Sequence, residues 1–444
     1  MNTLRFAPES AARMTFGVRT HEREILLWAI PLGVLGLAVV HQTLYRSEPW
    51  VPVLAGATAL AGFLIVHAAL CASRSDADQV ILPITAGLSG LSLVMIYRLR
   101  PDYLPRQAAW VALGLLGLLV TLGLLGDLRW VRRYTYLWAA VGVALLILTV
   151  TAGVERTGAR QWLVLGGFTI EPGEIVKLVL VAFFAGMLAE TRRMRMLPGP
   201  HRWTTDLSWV GPMLAVCVGS LLLLVFQRDL GQAVLYYGVF LAMLYVAAGR
   251  RDYLVLGLAA FTLGAILSYG LFPHVRVRLD AWLSPWPDPT GRSYQILQGV
   301  YSLASGGVVG TGLGAGHPDL MPAAHTDMIF PAIGEELGAA GAFCVVALYL
   351  MLLGRFFRVA TRAEGDLDTL VAAGVATTLG LQAFLILAGS TRLLPLTGIP
   401  APFLTYGGSA AVSNFLALAL LLGISDRIGR RPPRAGGDDG EPGC

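Results

Sequence analysis

Apolar residues gather in long runs at roughly 24–45, 50–72, 79–97, 108–126, 135–154, 174–190, 208–226, 230–249, 252–272, 328–354, 369–389 and 401–424. Crossing the hydrocarbon of a bilayer takes about 20 such residues in a helix. The pattern therefore predicts an all-α polytopic membrane protein with about twelve transmembrane helices. The run 174–190 is short and holds Glu174 and Lys177. It spans if it tilts or if neighbours shield its ends. No internal repeat and no soluble catalytic domain is visible.

Composition agrees with the pattern. The chain is 55% hydrophobic and 14% charged, with mean hydropathy +0.66. Soluble domains carry about 25% charged residues. The net charge of +5 matters less than where the arginines stand, and no nucleic-acid partner is expected. With the N-terminus inside, 21 arginines fall in cytoplasmic segments and 11 in outer ones. That bias predicts both termini in the cytoplasm. It also makes 273–327 a large extracytoplasmic loop, rich in Pro, Gly, Trp and Asp. Loops of that length are uncommon and usually functional. Residues 1–23 form a polar and basic N-terminal segment without the apolar stretch of a signal peptide. The tail 427–444 is expected to be disordered. Cys71, Cys217 and Cys344 each sit alone in an apolar run without metal-ligand spacing, as inert buried thiols would.

Polar residues cluster at the outer ends of several helices, and such residues at membrane depth are functional candidates. Glu174 and Lys177, three apart on one helical face, either neutralise each other or wall a cavity. Asp229, in FQRDLG, either caps the following helix or faces the same cavity. Arg276 and Arg278 have the forked geometry that suits phosphate, and equally suit lipid headgroups. Tyr294, Gln295 and Gln298 read as the polar face of a short interfacial helix. The stretch RLLPLTGIPAPFLTYGGSA, residues 392–410, breaks regular helix where backbone must line a cavity or be buried in protein. Asp327 opens a helix, where an acid is favoured by the helix dipole. Glu335 and Glu336 lie eight and nine residues further along, about 12–13 Å deeper in a straight helix. They are expected to be structural acids paired with Lys177 or an arginine.

Taken in order, the segments GARQW (158–162), PGEIVK (172–177), QRDLG (227–231), YQILQ (294–298), SGGVVGTGLG (305–314), HTDMIFPAIGEELG (325–338) and PLTGIPAPFLTYGGS (395–409) resemble the SEDS family (shape, elongation, division and sporulation). That family includes RodA, FtsW and SpoVE. The likeness covers about residues 76–426 as a glycosyltransferase core of ten helices. Residues 24–75 add two helices, as in RodA-type members from high-GC Gram-positive bacteria. Gly173, Arg228 and Thr405 depart from the usual residues at their positions.

The resemblance implies polymerisation of peptidoglycan glycan strands from lipid II outside the cytoplasmic membrane. A lipid II flippase and a division-specific polymerase are the alternatives. It also implies a class B penicillin-binding protein as partner, alongside other elongation or division machinery. Asp327, in the HTD motif with His325 and Thr326, matches the family's essential aspartate and is the expected general base. Arg160, Arg276 and Arg278 are the expected pyrophosphate ligands. Glu174 and Lys177 match the family's intramembrane charged pair. Asp229, Gln295, Gln298, Thr397 and Ser409 complete the expected substrate site. Asp319 orients the acceptor sugar or, like Asp327, holds a divalent cation (Mg or Mn). No organic cofactor is expected.

Overall fold

The computed structural model describes residues 19–45, 50–124, 127–156, 159–166, 168–195 and 204–430. Most of the expected N-terminal segment and tail, residues 1–18 and 431–444, lies outside the described residues. The helices are α1 (Thr20–Tyr45), α2 (Trp50–Ala72), α3 (Ile81–Leu99), α4 (Leu104–Leu124), α5 (Arg129–Arg133), α6 (Thr135–Ala152), α7 (Pro172–Arg195) and α8 (Thr204–Gln227). They continue as α9 (Leu230–Ala248), α10 (Arg251–Leu271), α11 (Pro273–Leu283), α12 (Tyr294–Gly306), α13 (Ile329–Arg362), α14 (Asp366–Ser390) and α15 (Gly408–Gly429). Eleven are long and apolar enough to cross a membrane, and α8 adds a shorter apolar stretch over Gly211–Gln227. These occupy the twelve places that the apolar runs predict, and the chain is a multi-pass membrane protein.

Helices with Ser, Thr, Gln and small residues among their apolar ones pack in the middle, where polar groups find partners and backbones approach closely. About 83% of α3, 78% of α7 and 72% of α14 is buried inside the bundle, against 6% of the almost wholly apolar α10. Between α6 and α7 the chain leaves helix for three short antiparallel strands, β1 (Val154–Arg156), β2 (Ala159–Leu165) and β3 (Phe168–Ile170). Helical periodicity gave no sign of this sheet, which is too short to show alternation. It stands at the same end of the bundle as the C-termini of α1 and α3 and the N-termini of α7, α9 and α15, here called the loop end.

The segment 273–327, expected as a long loop, is partly helical: it contains α11, α12 and a single 3-10 turn at Pro318–Leu320. The interfacial helix read from Tyr294, Gln295 and Gln298 is α12. A larger correction concerns α13. Its helix is broken at Gly338, which sits at φ +69°, ψ −172°, a region reserved for glycine. Breaking a helix frees carbonyls before the break and N–H groups after it. The glycine-rich turn segment 307–312 takes up groups from both sets. Thr311 and Gly312 N–H donate to the carbonyls of Glu335 and Glu336 at 2.9 and 3.0 Å. In return, Ala339 and Ala340 N–H donate to the carbonyls of Gly307 and Val308 at 2.9 and 3.1 Å. Four of the backbone groups freed by the break thus find partners in the loop.

The partners of Glu335 and Glu336 correct their expected depth. Arg98, at the C-terminal end of α3, donates from Nε to Glu336 Oε1 at 2.6 Å. Glu336 therefore belongs to the loop end, and its partner is this arginine, not Lys177. Glu336 also accepts from Gly314 N–H at 3.0 Å, and Glu335 from His317 N–H at 2.6 Å and from Ser302. They are the clasps of the 307–317 loop.

Gly338→Ala should destabilise the protein by about 1–3 kcal/mol from backbone strain alone. A Cβ there would also stand 2.3 Å from Gly310 N and 2.4 Å from Val308 O. A lowered thermal midpoint in detergent checks this, and an unchanged one would contradict the strained geometry.

Candidate functional site

The buried half of the site is a knot of polar side chains from four helices. Lys177 donates to Glu174, to Gln382 Oε1 at 2.9 Å and to Asn414 Oδ1 at 2.7 Å. All three ammonium protons are used. Glu174 accepts further bonds from Gln232 Nε2 at 3.1 Å, Gln382 Nε2 at 3.4 Å and Ser413 Oγ at 3.2 Å. Each of these groups would be costly alone in the bundle, and their joint satisfaction is what lets the pair stay buried. Glu171, just before α7, accepts from Gln232 Nε2 at 3.3 Å and donates its N–H to Ser409 Oγ at 2.9 Å. Burial raises its carboxyl well above the usual range, and the charges of Glu174 and Asp229 raise it further.

Asp229 is the N-cap of α9 and accepts from Gln232 N–H at 3.0 Å. Burial pushes its carboxyl up to about 6, with Arg278 pulling the other way. The two alternatives left open for this acid are both realised, since it caps a helix and joins a charged cluster. Its neighbour Gly231 admits the 391–407 segment over the helix N-terminus: a Cβ there would stand 2.5 Å from Thr397 O.

Arg278 links this knot to the HTD turn. Its Nη1 donates to Thr397 O at 3.4 Å, and its charge acts on both Asp229 and Asp327. Thr397 Oγ1 is buried and has no hydrogen-bond partner among the described residues. Asp327 is half-buried in the turn before α13. Burial raises its carboxyl above the ordinary aspartate range, while Arg278 and donation from Thr326 and Gln295 pull it down. Gln295 also ties α12 to the turn by donating to Pro322 O at 3.2 Å. Gln298 is half-buried one helical turn further along α12.

His325 packs in an aromatic box, 5.4 Å from Tyr103 edge-on and 5.9 Å from Tyr406, with those two rings stacked at 4.6 Å. Burial and the charge of Arg100 lower its pKa, so the imidazole is neutral at pH 7. His325, Arg100 and the exposed Asp319 line a cleft of about 360 Å³. Among the described residues no three His, Cys, Asp or Glu side chains gather to hold a metal.

Two expected ligands fall elsewhere. Arg276 turns back onto α10, over the Tyr269 ring at 5.5 Å and onto Gly270 O at 3.2 Å. Arg160 is exposed on β2, with Nη1 reaching Val150 O at 3.4 Å. Conversely, Glu171, Gln232, Gln382, Ser413 and Asn414 belong to the site without having been singled out. Their signal was available, since each is polar in or beside an apolar run.

A family profile described as cell cycle protein (FtsW/RodA/SpoVE) matches residues 80–428. The peptidoglycan glycosyltransferase RodA of Mycobacterium tuberculosis is 37% identical over 432 residues, covering 94% of this chain and 92% of that protein. The probable peptidoglycan glycosyltransferase FtsW of Geobacter metallireducens is 33% identical over 373 residues, covering 80% and 96%. Among solved structures, a chain from a peptidoglycan synthase complex studied for coordination of polymerization and crosslinking superposes with TM-score 0.67. It is 28% identical and covers 80% of this chain and 99% of its own.

Asp229 gives the site a measurable pH signature. A carboxyl raised on folding favours the folded state when protonated. Its contribution is full below about 3.8 and is lost as pH rises through about 6. Lifting it from 3.8 to about 6 corresponds to about 3 kcal/mol. Asp229→Asn keeps a capping oxygen and should raise the thermal midpoint at pH 8 more than at pH 5. An equal gain at both pH values would assign the effect to something other than ionisation.

Proposed function

The chain belongs to the FtsW/RodA/SpoVE family of cell cycle proteins, and from that membership we infer its activity. It is a peptidoglycan glycosyltransferase of the RodA kind, building glycan strands for cell-wall elongation. The flippase reading and the division-specific reading are not favoured, because RodA glycosyltransferases match this chain along nearly their whole length.

The observation that carries the mechanism is the half-buried Asp327 facing Arg278. In the reaction, the 4-hydroxyl of an acceptor GlcNAc attacks C1 of a MurNAc carried on undecaprenyl pyrophosphate. The hydroxyl is a weak nucleophile and needs a base within hydrogen-bond reach. Asp327 supplies it, and burial brings the carboxyl nearer to neutral pH than a solvated aspartate, which suits a base working there. Thr326 and Gln295 hold the carboxylate in place. The departing pyrophosphate needs a cation, not an acid. Arg278 offers a planar fork for its oxygens and stands on the same side of the bundle as the base. Asp319, in the neighbouring cleft with His325, orients the acceptor sugar. The Glu174–Lys177 knot holds α7, α9, α14 and α15 in register beneath.

The loop end faces outward and both termini face the cytoplasm, a reading supported by the excess of arginines at the opposite end. A class B penicillin-binding protein is the proposed partner. Support comes from the structural neighbour, which belongs to a synthase complex coordinating polymerization with crosslinking.

Asp327→Asn should lower polymerisation of labelled lipid II in proteoliposomes by about 10²–10⁴-fold, with the fold retained by circular dichroism. Retained activity would remove Asp327 from the role of base. The rate should rise with pH as Asp327 ionises, along a limb above the ordinary aspartate range. Arg278→Gln removes a charge that lowers this carboxyl. The limb should then move to higher pH while the maximal rate falls; a limb that stays put would separate Arg278 from Asp327.

A further inference from the structure

Outside the residues matched by the family profile, α1 and α2 carry another polar chain, at the end of the bundle opposite the site. Arg19 Nε donates to Glu22 Oε1 at 3.2 Å, and its Nη2 pairs with the same carboxylate. Arg19 Nη1 donates to the carbonyls of Ser75 and Ala77 at 2.9 and 3.0 Å. Glu22 is fully buried. His67 Nδ1 lies 2.6 Å from Glu22 Oε1, and Cys71 Sγ lies 3.6 Å from His67 Nε2.

These contacts assign the histidine tautomer. A carboxylate already held by an arginine only accepts, so Nδ1 carries the proton. In the neutral ring Nε2 is then the acceptor for the thiol S–H. Nucleophile, base and orienting acid stand in the order used for activated serines and cysteines. The side chain of Glu22 is enclosed, that of His67 is 14% exposed, and Cys71, in the last turn of α2, is partly exposed. Cys217 is buried and Cys344 is exposed in α13, so the three thiols are not the uniform inert set that the sequence suggests.

We propose that Cys71 is a nucleophilic thiol and a modification site that reacts with hydroperoxides. Sγ attacks the terminal oxygen of R–O–O–H. The S–O bond forms, the O–O bond breaks, and the products are Cys71 sulfenic acid and R–OH. Sulfur is oxidised by two electrons and the peroxide is reduced. His67 Nε2 takes the thiol proton and passes it to the leaving alkoxide, while Glu22 stabilises the imidazolium in between. An uncharged oxidant suits this place, because the apolar span around it penalises charged reagents. The modification falls at the joint between the N-terminal pair and the core, since Arg19 grips the 75–77 backbone and Arg430 Nη2 donates to Ser73 O at 3.1 Å.

The test uses the full chain in nanodiscs of saturated lipid. One arm receives hydrogen peroxide and another a phospholipid hydroperoxide, with dimedone trapping of sulfenic acid read by peptide mass spectrometry. Cys71 should be trapped about tenfold or more faster than Cys344 in the same molecules, and His67→Gln should remove about that factor, with lipid II polymerisation unchanged. Trapping in either arm or both supports the site and identifies the source of the peroxide. Cys71 trapped no faster than Cys344, a comparison that needs no variant, overturns it. So does an unaltered rate in a folded His67→Gln protein.

Discussion

The helix that starts at Ile329 cannot run through Gly338, and the chain resolves this by exchanging backbone hydrogen bonds with 307–312. The exchange pairs backbone groups that the break would otherwise leave without partners. It fixes the glycine-rich loop to α13. Through that loop it fixes α12, whose Gln295 reaches the HTD turn. Glu336 extends the same attachment to Arg98 on α3. The HTD turn, which would otherwise hang at the end of a long irregular segment, is therefore mounted on packed helices.

Below the turn, electrostatics rather than backbone geometry keeps the elements in place. Three carboxyls, Glu171, Glu174 and Asp229, share a small volume with Lys177 and Arg278. Every deep member is hydrogen-bonded, and the two acids outside the helices respond to crowding and burial by binding protons more tightly. Arg278 is common to this group and to Asp327. Charge arriving at the HTD turn is thus felt by the knot beneath, without any moving part between them.

Apolar runs located every span because lipid imposes the same length requirement on each. They could not separate the membrane part of α13 from its preceding segment, since Ile329–Leu337 continues the apolar run despite Glu335 and Glu336, and a single glycine does not mark a break in a sequence. Lys177 was legible as a buried charge, but Gln382 and Asn414, its partners, lie 205 and 237 residues away in sequence. Arg276 and Arg278 were grouped as one phosphate clamp. Residues two apart on a helix face different ways, and in α11 one meets Thr397 while the other returns to α10. Here the spacing held more information than the motif.

Lys177 is the sole lysine of the 444 residues, and its side chain is enclosed by Glu174, Gln382 and Asn414. The folded chain consequently presents no lysine side chain to amine-directed chemistry. Acylating labels and lysine-targeted crosslinkers would find only the terminal amine until α7, α14 and α15 part. The same ammonium that ties the bundle together thereby serves as a built-in reporter of its opening.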